Sequence, residues 1–463
     1  MQSTEIHDTT SQAVGVLVES LLGSLNSANV RYCIRQNYEG LPTHIGNDLD
    51  IMVYPCDGPL IFDRLIKVAQ DGGWTLVRRI VRRGTWTMFL AKEVEGRRRF
   101  VHVDIGGALA VRRVVWANAK YILEHVRPYR NFYVPQPGCE AALAVRGLLV
   151  EGTIREKYRE SSARYVADDY THFAGCLLGH LNPKLVRQLG DLMSRREWQA
   201  LADLAPRVRR NLLARTLVLR GPTQFLRYVE FIGQRLVESL RPTGLFLVLI
   251  GPDGSGKTTI ARALQEKLDN TLFAGTRVLH RYPGALPPLS SFLYFGHRRR
   301  KSSSVDDQVH GGTQNNGDRS VKLGLFRALA NVLYYMWDFV LFHIPLRRAT
   351  GKGKLVMFDR YFYDHLIQPS YSRVPRWLLR VILRIIPSPD LVVYLRTDAE
   401  QIHARKDELT VAEIEEQSRG CESLMRRCTN GCTVETNGSI EETINAVTSA
   451  LCRILSDRES SRS

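Results

Sequence analysis

The stretch that decides the fold is Leu245–Leu268, LFLVLI-GPDGSGKTT-IARALQEKL. Six apolar residues without a polar interruption predict a strand of a parallel sheet, buried on both faces. Gly251-Pro252-Asp253-Gly254-Ser255-Gly256-Lys257-Thr258-Thr259 then satisfies GxxxxGK[ST], and the periodicity of IARALQEKL predicts a helix directly after it. Strand, glycine loop and helix stand in the order this phosphate-binding loop, or P loop, requires. Glycines let successive backbone N–H groups wrap a phosphate chain without Cβ clashes, and the helix N-terminus adds positive potential. Lys257 is expected to bridge the β- and γ-phosphates and the Thr258 hydroxyl to ligate Mg²⁺. ATP and Mg²⁺ are thus the expected cofactors, with Gly251, Asp253, Gly254, Ser255, Gly256, Lys257, Thr258 and Thr259 lining their site.

Outward from the loop, Thr276–His280, Lys354–Phe358 and Leu391–Leu395 read as further strands alternating with helices. The fold class expected for this half is α/β, a parallel sheet with helices on both faces. The strand KLVMF ends in Asp359-Arg360-Tyr361. A carboxylate at the C-terminal end of a parallel strand lies beside the phosphate loop, where it can hold Mg²⁺ or receive a proton from an attacking group. Arg360 can neutralise phosphate charge. The signatures of a GTPase are missing: Asp104-Ile105-Gly106-Gly107 matches DxxG but precedes the loop, and no NKxD occurs.

These segments together resemble the thymidylate kinase family. GPDGSGKTT, DRY after a strand and PDLVVYL before a helix carry the likeness, and Arg281-Tyr282-Pro283 is similar to that family's Arg-Phe-Pro acceptor segment. The likeness covers roughly Leu245 to Ile454. It implies a phosphotransferase in which Lys257, Asp359, Arg360 and Arg405 act catalytically, and in which Asp253, Arg281 and Arg360 meet the acceptor. Arg405 and Lys406, in HARKDEL, fall where the family's lid begins. The chain departs from true thymidylate kinases in a long insert before DRY and in FYDHL after it, where they carry a small Ser-rich segment. It is more similar to the thymidylate-kinase-like proteins found beside bacterial polysaccharide-biosynthesis functions. A homodimer is in keeping with the resemblance.

The first third reads as a second α/β module. Val30–Arg35, Leu49–Tyr54, Trp86–Ala91 and Phe100–Ile105 have the pattern of strands and Leu60–Ala69 that of a helix, with helical sequence from Glu140 to about Leu213. Asp48 and Asp50 alternate along one strand and so share a face, and Asp104 sits on another. Three such carboxylates can hold metal ions around a nucleotide. The pattern resembles the nucleotidyltransferase fold, and RYCIRQNYEGLP is similar to the start of such proteins. Where typical members carry Gly-Ser or Gly-Gly, this chain has Arg35-Gln36-Asn37-Tyr38. The Arg-rich stretch that includes Arg78, Arg79, Arg82, Arg83, Arg97, Arg98 and Arg99 is expected either to bind triphosphate or to be solvated.

The chain of 463 residues is too long for one core. Expected boundaries are 1–214 for the nucleotidyltransferase-like domain with its helical extension, 215–242 for a basic linker, 243–456 for the kinase-like domain and 457–463 for a disordered tail. A mobile insert is expected between Gly284 and Val321. The net charge of +17 suits phosphate-rich partners. A small-molecule acceptor is the expected partner, and nucleic acid is not. Eight cysteines without CxxC pairing, and no secretory signal at the N-terminus, point to reduced thiols and a cytoplasmic protein. Ala328–Leu346 is nearly long enough to cross a bilayer, but Asn331, Asp338 and His343 interrupt it, so a buried or half-buried helix is expected. Three functions fit: a small-molecule kinase, a bifunctional kinase and nucleotidyltransferase, and a nucleotide-gated binding protein.

Overall fold

The computed structural model describes residues 2–43, 45, 48–82, 84–111, 114–216, 233, 242–269, 271–287, 325–367, 374–405 and 410–461. It divides into two compact units, residues 1–236 with 455–463, and residues 237–454.

In the first unit a helix, Gln2–Ser27, precedes β1 (Tyr32–Ile34), β2 (Leu49–Val53), the helix Gly58–Asp71, β3 (Thr75–Arg82), β4 (Thr85–Val94) and β5 (Arg97–Gly106). The sheet order is β1-β2-β5-β4-β3. β2 and β5 run parallel with Asp50 opposite Asp104, and the other pairs are antiparallel. Leu17, Leu21, Ile51, Ile61, Leu65, Val103 and Ile105 fill the core beneath. Two small hairpins follow, β6 (Ala110–Val111) with β7 (Val114–Val115) and β8 (Val126–Tyr129) with β9 (Phe132–Pro135). The helices Pro137–Val150, Glu156–Asp168, Tyr170–Leu177 and Pro183–Ser194 then pack around a separate core of Leu148, Phe173, Leu177 and Leu189. The first helix and β3 do not stand out in the sequence. β3 reads TLVRRIVR, yet Arg78 is buried with its guanidinium over the Phe89 ring, 5.1 Å from the centroid. That face-on packing lets an arginine occupy a sheet interior.

The second unit carries β10 (Leu245–Ile250), β11 (Thr276–His280), β12 (Leu355–Asp359), β13 (Leu391–Arg396) and β14 (Gly431–Glu435). All pairs are parallel in the order β11-β12-β10-β13-β14. Every residue of β10 and β12 is buried, as their apolar runs require. β10 is central, and the chain turns outward on either side of it. The P loop leaves its C-terminal end at the point where an open α/β sheet forms a crevice.

The apolar segment forms the long helix Leu325–Gly351. Its Ala328–Gly351 portion is long and apolar enough to cross a membrane, and most of its apolar stretch is not buried. Ala328, Val332, Phe339, Phe342 and Leu346 enter the core, whereas Leu333, Trp337, Leu341 and Ile344 are exposed. Asp338 is buried in this helix and accepts hydrogen bonds from the N–H groups of Gly284 (3.2 Å) and Leu286 (2.7 Å).

The expected disordered tail is corrected. The last helix runs Ile440–Ser460, and Glu459 is buried within it. DRES contains no helix breaker, and Arg458 in the final turn complements the helix dipole. The expected linker, 215–242, and the insert, 284–321, lie largely outside the described residues. All eight cysteines are free thiols.

Candidate functional site

The loop between β10 and the helix Lys257–Leu268 takes a shape that its glycines permit. Gly254 and Gly256 have φ of 93° and 82°, a region that side chains with a Cβ rarely enter. The loop leads directly into the N-terminus of the helix Lys257–Leu268, where the helix dipole places positive potential. Lys257 is buried, its Nζ donating to the carbonyls of Gly251 (2.9 Å) and Pro252 (2.6 Å) and lying 3.8 Å from Asp253 Oδ1. Burial lowers the affinity of its amine for a proton, and Arg360 adds to that, while Asp253 opposes it.

β12 delivers Asp359 to the same place. Its Oδ2 accepts from Thr258 Oγ1 at 2.5 Å and lies 3.3 Å from His280 Nδ1, at the end of β11. Burial alone would raise this carboxyl. Hydrogen bonds from His280 and Thr258 and the charge of Lys257 hold it below the usual carboxylate range. Its Oδ1 is enclosed without a hydrogen-bond partner. An enclosed carboxylate oxygen beside a threonine hydroxyl is a hard, oxygen-only donor set of the kind Mg²⁺ takes.

Arg360 follows with φ of 73° and an N–H bonded to Leu249 O at 3.1 Å. Its guanidinium pairs with Asp253 across the loop. Arg281, also at positive φ (59°), donates its N–H to Asp359 O at 3.0 Å. The ring of its neighbour Tyr282 stacks on Tyr335 of the long helix at 3.5 Å and 6°. Thus Asp253, Lys257, Thr258, Arg281, Asp359 and Arg360 come together. Ser255 is buried in the loop, and Thr259 is exposed on the first helical turn. Arg405 ends the helix Ala399–Arg405 with its side chain exposed, and it forms no hydrogen bond or ion pair with the P loop. Residues 406–409, which include Lys406, lie outside the described residues.

No protein-family model matches the chain, and no curated protein matches it. Two solved thymidylate kinases are similar to part of the chain. The enzyme from Ehrlichia chaffeensis is 15% identical over 45% of this chain and 98% of its own, with a TM-score of 0.30. That from Candida albicans is 18% identical over 47% of this chain and 92% of its own, with a TM-score of 0.32. The α/β fold of the second unit is read from its parallel strand order and its P loop.

Three residues of this crevice escape a reading of the sequence. His280 meets Asp359 from the neighbouring strand. Gln417 accepts the Asp253 N–H at 3.2 Å from the helix Val411–Met425. Asp364 opens the short helix after DRY; its Oδ2 is enclosed without a partner, and burial raises its carboxyl against the pull of Arg360, Arg281 and Lys257. Position after DRY is a usable signal for Asp364, whereas nothing local marks Gln417.

In the first unit, Asp48, Asp50 and Asp104 do converge, but not as three equivalent ligands. Asp50 is taken by Arg35, whose Nη2 lies 2.5 Å from Oδ1. Asp48 and Asp104 are joined instead by His102, two residues before Asp104 on β5 and so on the same face. Ligand atoms of Asp48, His102 and Asp104 all lie within 4.8 Å of one another.

Proposed function

We propose that the chain is an ATP- and Mg²⁺-dependent kinase that transfers the γ-phosphate to a small-molecule acceptor, a nucleoside monophosphate or a sugar-type metabolite. The observation that carries this reading is the meeting of Lys257, Thr258 and Asp359 at the mouth of a glycine loop with two left-handed positions.

The loop amides would cradle the phosphates, and Lys257 would exchange its two loop carbonyls for phosphate oxygens. Thr258 and Asp359 would hold Mg²⁺, which supplies charge neutralisation at the β- and γ-phosphates. Arg360 and Arg281 would grip the acceptor. Asp253 would keep Arg360 oriented until the acceptor arrives. Transfer is in line: the acceptor oxygen bonds to the γ-phosphorus as the bond to the β–γ bridging oxygen breaks. The proton leaves to a carboxylate of the site or to solvent.

The test is transfer from γ-labelled ATP to a panel of deoxynucleoside monophosphates, sugars and sugar phosphates, beside a Lys257→Ala protein. Lys257-dependent labelling of one acceptor class supports the kinase. ATP binding without any labelled acceptor favours the nucleotide-gated binding protein.

A further inference from the structure

The carboxylates of the first unit sit in an arrangement that differs from a triad of aspartates. β2 and β5 are parallel neighbours with Asp50 opposite Asp104. Alternation brings Asp48, the residue before β2, and Asp50 to one side of that strand, and His102 and Asp104 to the same side of β5. Arg35, just past β1, holds Asp50 and contributes positive charge toward Asp104 as well. A guanidinium therefore stands where one cation between these carboxylates would otherwise be needed.

Of the other three side chains, His102 and Asp104 are held as a metal's ligands are held. The Phe89 ring lies flat against His102, with centroids 4.5 Å apart and 8° between planes. Thr87 Oγ1 donates to Asp104 Oδ1, and His102 Nε2 lies 3.3 Å from that same oxygen. Asp48, His102 and Asp104 are each half-buried, so they are shielded yet reachable. Partners that fix the ring plane and orient the carboxylate are the usual support of a bound cation.

We infer that Asp48, His102 and Asp104 form a site for a single divalent transition-metal cation, with Arg35 standing in for a second cation by holding Asp50. One imidazole nitrogen with two carboxylates selects Mn²⁺ or Zn²⁺ over Mg²⁺ and Ca²⁺, which prefer oxygen-only shells. The site lies in the first unit and does not depend on the kinase reading.

The probe is Mn²⁺ alone, added to nucleotide-free full-length protein carrying Asp359→Asn, which removes the carboxylate of the other unit. Electron paramagnetic resonance counts free and bound ion, and calorimetry gives affinity. One Mn²⁺ per chain is expected, retained in a tenfold excess of Mg²⁺. His102→Gln should weaken binding at least about tenfold, with an unchanged circular dichroism spectrum and melting temperature in the absence of metal. His102→Asp should restore an oxygen-only shell in which Mg²⁺ competes. Arg35→Met should free Asp50 and raise the stoichiometry from one to two. The inference is overturned by absence of Mn²⁺ binding at millimolar concentration, by His102→Gln binding as tightly as the parent, or by displacement at equimolar Mg²⁺. A stoichiometry that stays at one in Arg35→Met overturns the part assigned to Arg35.

Discussion

Lys257 is the side chain on which the proposed transfer most directly depends. From a buried position its Nζ donates to the carbonyls of Gly251 and Pro252. Lys257→Ala should lower kcat/KM by about 10²–10³-fold, with an unchanged circular dichroism spectrum; full activity in the variant would remove the loop from the mechanism. His365 offers a second test. It is buried against Phe362, and burial pushes its imidazole down to about 4, with Arg281 adding to the effect. Its folded pKa lies below its unfolded value, so the folded state disfavours the proton. The associated stability, about 3 kcal/mol, is complete above roughly pH 6.5 and is lost as pH falls toward 4. Denaturant midpoints across that window should flatten in His365→Gln. Most of the P-loop site was legible in the sequence because its residues are contiguous or end buried strands. His102 was not: a lone histidine in a strand is usually a packed one, and only the register of β5 against β2 reveals its company. Arg35 was visible as a departure from the usual glycine pair, but its hold on Asp50 came from the fold.

Among the elements, the buried parallel strands announce themselves by composition, while edge and arginine-bearing strands do not. β10, β12 and β13 are near-continuous apolar runs and were expected within a residue or two. β14, GCTVE, has only Val434 buried, and β3 hides its buried arginine beside two others. The position of β10 depends on the glycine before it. A Cβ on Gly244 would lie 2.1 Å from Lys354 O and 2.8 Å from Thr350 O, both backbone atoms that cannot step aside. Gly244→Ala should therefore separate the start of β10 from β12 and cost upward of about 2 kcal/mol. The readout is a lower denaturant midpoint together with weaker ATP binding; parental values for both would show that the strand ends can shift freely. Thr410 and Glu413 make a reciprocal capping box at the start of the helix Val411–Met425. The T-x-x-E spacing of that box is readable directly from the sequence.

At the scale of the whole molecule, the division into two units predicts separable responses to ligand. A non-hydrolysable ATP analogue with Mg²⁺ at about a hundredfold excess over its Kd should stabilise the unit that binds it by about 2.7 kcal/mol. In scanning calorimetry the transition of residues 237–454 should move up, and that of the first unit should keep its temperature. Movement of the first alone would place nucleotide elsewhere than the P loop, and movement of both together would show that the two units melt as one. The sequence announced two α/β parts because each repeats its own alternation of strands and helices. The boundary between them was less legible, since a basic helical connector and a domain's terminal helix carry the same pattern.

The sheet order also sets a schedule for the growing chain. β10 pairs on one side with β12, Leu245 opposite Leu355, and on the other with β13, Leu247 opposite Leu391. The motif LFLVLIGPDGSGKTT therefore leaves the ribosome long before either neighbour exists. At roughly 5–20 residues per second, its exposed apolar strand waits some tens of seconds or less for β12 and then for β13. During that interval it is a client for chaperones and a target for proteases. A chain cut short before Leu391 would carry the whole phosphate-binding motif and still lack one of the two strands that hold it in place.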